Sequence, residues 1–327
     1  MPHIVILATG GTIAGASDAR SQAGYNAGQI SAEQLVAAAP GLEMIARIST
    51  EQVATIGSQD MNETVWFTLA ARIDALLARD DVDGVLVTHG TDTLEETALF
   101  LDLVVSGEKP VVLVGAMRPA TALSADGPLN LLEAVLVATA PQARNRGTLV
   151  VLNDMIHGAM DVTKSSTMEV QTFRSPNFGP AGHVTPNGVV FFRRAARRPV
   201  TYILPPAPPL PRVSIIYAHA GMDDGEIRGA VAAGAKGIVL AGVGDGNAAK
   251  AAIAALSEAV AAGIVVVRAS RTGSGPVMRN IEVPDDALGF VASDFYGPAK
   301  ARVLLQLLIA NGITTPGAVQ MAFGGPI

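Results

Sequence analysis

Apolar residues in this chain come in short unbroken runs, not in alternation with polar ones. "HIVILATGG", "GVLVTHG", "PVVLVGA", "GTLVVLN", "VSIIYAHAG", "GIVLAGVG" and "GIVVVRAS" are such runs, each bounded by glycine or proline or followed by a polar turn. Runs of this length and β-branched content predict strands buried on both faces, as in a parallel sheet. Helical stretches lie between many of them. Ser31 with Gln34, Asp60 with Glu63, and Thr93 with Glu96 read as capping boxes or their Asp equivalent, so Asp60 is expected to open "MNETVWFTLAARIDALLAR". Pro298 stands at the first turn of "AKARVLLQLLIAN" and Gly312 follows its end. Strand and helix in alternation predict an α/β protein.

One segment breaks this rhythm. "PPAPPLPR", Pro205 to Arg212, holds five prolines in eight residues, which favours an extended, semi-rigid connection. It divides the chain into a larger N-terminal, mainly parallel-sheet domain over 1–190, a linker over 191–212, and a smaller C-terminal parallel-sheet α/β domain over 213–327. No internal repeat is visible.

Composition narrows the function classes. The 327 residues are 49% hydrophobic and 16% charged, enough for a large core and unlike a disordered chain. The net charge of −6, without a long basic run, argues against nucleic acid as a partner. The densest basic cluster, "RRAARR" from Arg193 to Arg198, reads as a solvated face. With no cysteine, disulfides, thiol catalysis and Cys-type metal sites are excluded. The five histidines show no H-x-x-x-H spacing, so no metal set is expected. No stretch supplies about 20 uninterrupted apolar residues, and Lys250 and Glu258 interrupt the Ala-rich segment that comes nearest, so no membrane partner is expected. "MPHIVILATGG" lacks a basic leader. A cytoplasmic protein is expected if Met1 is native, a periplasmic one if a leader has been removed.

The chemistry gathers where the strands end. "VILATGGTIAG", Val5 to Gly15, is followed by Ala16 where a Walker A loop needs lysine, and carries Thr12 where a dinucleotide fingerprint needs its second glycine. Both nucleotide readings are therefore weak. The other strand ends are polar too: Thr9 and Thr12, then Ser58-Gln59-Asp60, Thr91-Asp92-Thr93, and Met117-Arg118. Ligands of open α/β sheets bind beyond the carboxyl ends of strands, so Thr12, Ser58, Gln59, Thr91 and Asp92 are expected to face one crevice. Asp92 suits an ammonium group, Ser58 a carboxylate, and the threonine hydroxyls an acyl carbon. There is no G-x-S-x-G elbow, so a hydroxyl nucleophile here needs activation by something other than an obvious histidine.

"TGGTIAG" and "THGTDTLEETA" resemble the two signatures of bacterial L-asparaginases, nearest to the type II branch and its glutaminase-asparaginases. "GSQDM", "VGAMRP", "SADGPLNLLEAV", "DVTKS", "GVGDGN", "RNIEVPDD" and "KARVLLQLL" extend the resemblance in the family's order along nearly the whole chain. The resemblance implies hydrolysis of L-asparagine to L-aspartate and ammonia, with L-glutamine as a second substrate. It also implies a homotetramer built from intimate dimers, and no metal or organic cofactor. Thr12 resembles the nucleophile on a lid that also carries Tyr25. Thr91 and Lys164 resemble a second catalytic pair beside Asp92. Ser58, Gln59 and Asp92 resemble the ligands of the substrate's α-carboxylate and α-amino groups, and Ala116 the residue whose carbonyl faces the amide. Glu282 resembles a glutamate that reaches the neighbouring subunit's site, with Asn247 near the same interface.

Each residue also has a plain reading. Lys164 alone is a surface lysine, Glu282 a solvated turn residue, and Tyr25 a loop aromatic. On the same plain view Asn247 caps the following helix, while Arg118 and His89 are structural. Two other functions stand beside the first: a primary glutaminase, and a two-domain protein that binds a small amino acid without turnover. The binder has use for Asp92 and Ser58 but none for Thr12, Thr91 and Lys164 together.

Overall fold

The computed structural model describes residues 1–15, 30–195 and 201–324. They form two compact units, Met1–Thr201 and Tyr202–Ile327. The first is built on an eight-stranded sheet. In chain order the first unit's strands are β1 (His3–Gly10), β2 (Arg47–Ile56), β3 (Gly84–Thr88), β4 (Val111–Val114), β5 (Thr148–Leu152), β6 (Met155–Gly158), β7 (Thr163–Lys164), β8 (Phe173–Arg174), β9 (Gly182–Thr185) and β10 (Gly188–Phe191). The sheet order is β10-β9-β6-β5-β4-β3-β1-β2, with β7 and β8 pairing separately. From β2 to β5 neighbouring strands run parallel; β6, β9 and β10 add an antiparallel flank.

Every residue of β1, β3, β4 and β5 is buried. That is why these strands read as continuous apolar runs: helices cover both faces of the parallel part. β2 is an edge strand of mixed exposure, and only its end, "QVATIG", carries a strand signal in the sequence. Helix Gly127–Thr139 packs Leu131, Ala134, Val135 and Ala138 into one core with Ile4, Ile6, Leu86, Val112 and Val114. The β5–β6 hairpin turns on Asn153 and Asp154, both left-handed at φ 50° and 64°. This suits the right-handed twist of a two-residue hairpin.

The helix starts depart from expectation in two places. Ser31 forms the full capping box: its Oγ accepts from Gln34 N–H at 3.3 Å, and its own N–H donates to Gln34 Oε1 at 2.9 Å. Helix Glu63–Leu77 is instead capped by Asn62, whose Oδ1 accepts from Val65 N–H at 3.2 Å. Asp60 sits two residues upstream, in the single turn Ser58–Asp60. Thr93 holds the N-cap position of helix Leu94–Val104, but its hydroxyl donates to the Ser58 carbonyl at 2.7 Å. That longer-range bond ties the end of β3 to the end of β2, and so displaces the local cap.

The second unit carries a parallel four-stranded sheet of β11 (Val213–Tyr217), β12 (Gly237–Gly242), β13 (Val265–Ser270) and β14 (Val291–Ala292), in that order. Its core joins Ile216, Ile238, Leu240 and Val266 to Leu256 and Ala259 of helix Lys250–Ala261. Helix Pro298–Ala310 starts with proline at its first turn, and the left-handed Gly312 follows at φ 73°. The proline-rich stretch packs within this unit. Leu210 is buried, Gln306 Nε2 donates to Pro211 O at 3.3 Å, and Asn311 Nδ2 donates to Ile203 O at 3.0 Å. Among the described residues no helix is long and apolar enough to cross a membrane.

Candidate active site

Three adjacent parallel strands, β3, β1 and β2, deliver their carboxyl ends side by side. Backbone sterics at the turns bring the ends closer than ordinary residues allow. Gly10 ends β1 and Gly11 follows it, at φ 103° and 80°, a conformation that L side chains rarely adopt. A Cβ on Gly11 would lie 2.4 Å from the Cα of Gly90, just beyond β3. A Cβ on Gly90 would lie 2.7 Å from Ser58 Oγ and 3.1 Å from the Cα of Gly11. Glycine at both positions thus lets the loops bearing Thr12 and Thr91 meet backbone to backbone, with the Ser58 side chain packed against Gly90. Thr9 is not part of this face: its hydroxyl donates to Thr88 O at 2.9 Å and ties β1 to β3.

Thr12 opens the single turn Thr12–Ala14 and is buried, as are Ser58 and Thr91. Ser58 Oγ accepts from the Asp92 N–H at 3.1 Å. Lys164 in β7 donates from Nζ to Thr91 Oγ1 at 2.9 Å and to Asp92 Oδ1 at 2.6 Å. The Lys164 side chain is 18% exposed and the Asp92 side chain 56%. The carboxylate therefore keeps an open side for a second cation, such as a ligand's ammonium. The Nζ–Oγ1 contact is a path for a proton between amine and hydroxyl. Gln59 is exposed and donates from Nε2 to Asp60 Oδ2 at 3.2 Å.

Ala116 lies just past β4 and is fully buried. Its loop is held by Asp126, whose two carboxylate oxygens accept from Met117 N–H and Arg118 N–H, each at 2.9 Å. Asn130 Nδ2 donates to Gly115 O at 3.0 Å. Arg118 closes the same loop on Ser124 O at 2.8 Å, the structural role its plain reading gave it. Tyr25 lies outside the described residues.

Asn247 and Glu282 belong to the second unit, where Asn247 Nδ2 donates to Glu282 Oε2 at 3.0 Å. Asn247 does not cap the next helix. Ala249 stands at that N-cap, and Asn247 Oδ1 accepts from its neighbour Ala248 at 2.8 Å. Beneath this pair Arg268 and Asp285, both fully buried, form a bidentate ion pair at 2.6 and 2.7 Å. Arg268 also donates to the carbonyls of Asp245, Gly246 and Met278, and so ties the loops that carry Asn247 and Glu282.

Sequence reasoning passed over several supporting groups. Glu95 accepts the Lys164 backbone N–H at 2.7 Å and sets the lysine's position. Its signal was present, inside "THGTDTLEETA", but carboxylates in a first helical turn are common for dipole reasons alone. Asp126 and Asn130 in "SADGPLNLLEAV" hold the Ala116 loop. His89 is fully buried between Gly90 and Thr97, and burial pushes its pKa down to about 4. A neutral imidazole with both nitrogens engaged is structural, in agreement with its plain reading. Among the described residues, no group of three or more His, Asp or Glu side chains could hold a metal ion.

Hydroxyls, an amine and a carboxylate at the rim of an α/β sheet, with backbone N–H groups beside them, define a site suited to acyl transfer on a small polar molecule. Comparison with known proteins narrows this class. Residues 3–197 match the family model "Asparaginase, N-terminal", and residues 212–323 match "Glutaminase/Asparaginase C-terminal domain". The chain is 47% identical to L-asparaginase 2 of Escherichia coli K12, over 99% of this chain and 93% of that protein. It is 41% identical to a glutaminase-asparaginase of Pseudomonas fluorescens biotype A, over 95% and 87%. The crystal structure of a probable cytoplasmic L-asparaginase from Campylobacter jejuni superposes with a TM-score of 0.94 at 40% identity, covering 99% of both chains. The chain belongs to the asparaginase family.

Proposed function

We propose that this protein hydrolyses the side-chain amide of L-asparagine to L-aspartate and ammonia, and takes L-glutamine as a slower second substrate. The observation that carries the reading is the Lys164 Nζ contact to both Thr91 and Asp92, made where the loops of Thr12 and Ser58 converge. Asparagine is placed first because identity to the L-asparaginase 2 relative, at 47%, exceeds that to the glutaminase-asparaginase, at 41%.

In this mechanism Asp92 receives the substrate's α-ammonium, and Ser58 and Gln59 receive its α-carboxylate. The Ala116 carbonyl faces the amide nitrogen. Thr12 Oγ attacks the amide carbon, and its proton leaves along a relay of Tyr25 and Glu282, the latter from a neighbouring subunit. Backbone N–H groups beside Thr12 and Thr91 hold the oxyanion, a contribution typically of about 3–4 kcal/mol per donor. The relay returns that proton to the amide nitrogen, and collapse of the tetrahedral intermediate then breaks the C–N bond and expels ammonia. Water, oriented by Thr91 and Lys164, then cleaves the Thr12 ester and restores the hydroxyl.

The assembly that suits this relay is a homotetramer of two intimate dimers. In such an assembly Glu282, exposed in the single chain and bonded to Asn247, is accessible to a neighbouring subunit. Steady-state ammonia release from both amides, measured for the unaltered chain and for Thr12→Ala, is the test. Thr12→Ala is expected to lower kcat by about 10³-fold or more while aspartate still binds. No release by the unaltered chain from either amide, with aspartate bound tightly, would establish the binding protein instead.

A further inference from the structure

The loop between β3 and the helix Leu94–Val104 carries Thr91 and Asp92, and a buried chain of hydrogen bonds ends on it. Trp66 Nε1 donates to Thr97 Oγ1 at 2.8 Å. Thr97 Oγ1 lies 2.9 Å from His89 Nε2, and His89 Nδ1 lies 2.7 Å from the Gly90 carbonyl. Thr97 and His89 are fully buried and Trp66 is 5% exposed. Trp66 stacks on Phe100 with ring centroids 4.7 Å apart, which anchors the far end.

Hydrogen bookkeeping gives this chain one direction. An indole N–H only donates and a carbonyl oxygen only accepts. His89 must therefore carry its proton on Nδ1 to bond Gly90. In a neutral ring that leaves Nε2 as an acceptor, and the Thr97 hydroxyl is there to donate to it. The other lone pair of Thr97 takes the indole N–H. Every donor and acceptor is used once, and the order runs Trp66 to Thr97 to His89 to Gly90. Burial keeps the ring neutral, since its charged form is strongly disfavoured.

We infer that Trp66, Thr97 and His89 are positioning residues for the reaction proposed above: they hold the Gly90 carbonyl and so set the plane of the Gly90–Thr91 peptide. That plane governs the direction of the Thr91 N–H and the height at which Gly90 meets Gly11 and Ser58. None of the three side chains is assigned a contact with substrate. The inference rests on the proposed hydrolysis for its kinetic consequence, but not for its structural one.

The experiment uses Thr97→Val, which removes the hydroxyl at nearly constant shape, and Thr97→Ser, which restores it. Nitrogen NMR of the His89 ring and amide-release kinetics are read on the full chain. The unaltered protein should show His89 neutral and protonated at Nδ1 at pH 7. Thr97→Val leaves His89 Nε2 without its donor; it should shift the Nε2 resonance and lower kcat by about 10-fold, with KM for asparagine changed less than about threefold, because misaligned reacting groups act on the chemical step. Thr97→Ser should keep both properties. Trp66 is the only tryptophan, so its emission reports on the same chain without a label. Its emission should shift in Thr97→Val and not in Thr97→Ser.

A His89 protonated at Nε2, or charged at pH 7, would overturn the inference in the unaltered protein, before any variant is made. So would a Thr97→Val enzyme with kcat within twofold of the parent, or a Thr97→Ser enzyme as impaired as Thr97→Val. If the unaltered chain releases no ammonia, the proposed function fails. The tautomer and emission readings still decide whether the chain holds Gly90.

Discussion

Replacing Gly11 by alanine tests the claim that loop contact, not side-chain identity alone, builds this site. The added Cβ would sit 2.4 Å from both the Cα and the N of Gly90. Carbon atoms pack best at about 3.5–4.0 Å, so the two loops must part by roughly 1 Å or more. Neither neighbour can yield cheaply, because both contacts are backbone. Displacement of this size between reacting groups costs about 100-fold in rate, or about 2.7 kcal/mol of transition-state stabilisation. Alanine at φ 80° adds a ground-state strain of about 1–2 kcal/mol. Gly107 separates the two effects. Its φ is 113°, yet a Cβ there meets nothing within 4 Å. Gly107→Ala should lose stability and keep its activity; Gly11→Ala should lose both. Initial rates of ammonia release from asparagine give kcat/KM, and calorimetry gives the melting temperature. A Gly11→Ala enzyme within threefold of the parent in kcat/KM would refute the reasoning. So would equal losses of activity in the two variants.

Glu133 should make stability depend on pH. It is 3% exposed, and burial, with Asp154 beside it, raises its carboxyl to about 8. The folded state holds this proton more tightly than the unfolded chain does. Its contribution is therefore complete below the ordinary carboxylate range and is lost as pH rises from about 4.5 through about 8, by a few kcal/mol. Glu133→Gln should flatten the fall in melting temperature between about pH 5 and pH 9; an unchanged slope would count against the assignment. In the second unit, Arg268→Met strands the buried Asp285 carboxylate and should cost about 3–5 kcal/mol. Adding Asp285→Leu should recover part of that loss in urea or thermal unfolding, whereas a double variant worse than the single one would contradict it.

The strands that hold the site were legible because they are buried on both faces. Continuous Val, Ile and Leu in β1, β3, β4 and β5 leaves no other comfortable environment, and a nearby glycine or, after β5, the Asn153-Asp154 turn marks where each run stops. The edge strand β2 was legible only at its end, since partial exposure admits polar residues and blurs the signal. Local chemistry identified the Ser31 box, where both partners lie within four residues. It failed at Asp60 and Thr93. The cap moved to Asn62, and the Thr93 hydroxyl went to Ser58, which lies 35 residues away in the chain. Such bonds depend on which strand ends are neighbours, and spacing along the chain carries no trace of that.

The same division runs through the chemistry. Composition and motif order determined the α/β class, the lack of thiol chemistry, and the hydroxyls and carboxylates placed at strand ends. Only the tertiary structure brought Lys164 to Thr91 across 73 residues, let Gly11 touch Gly90, and joined Trp66 to His89 through Thr97. The physical reason is range. Burial periodicity and turn preferences act between near neighbours and are written in the local sequence. Hydrogen bonds and close packing act over about 3 Å in space, and folding alone decides which distant residues come that near.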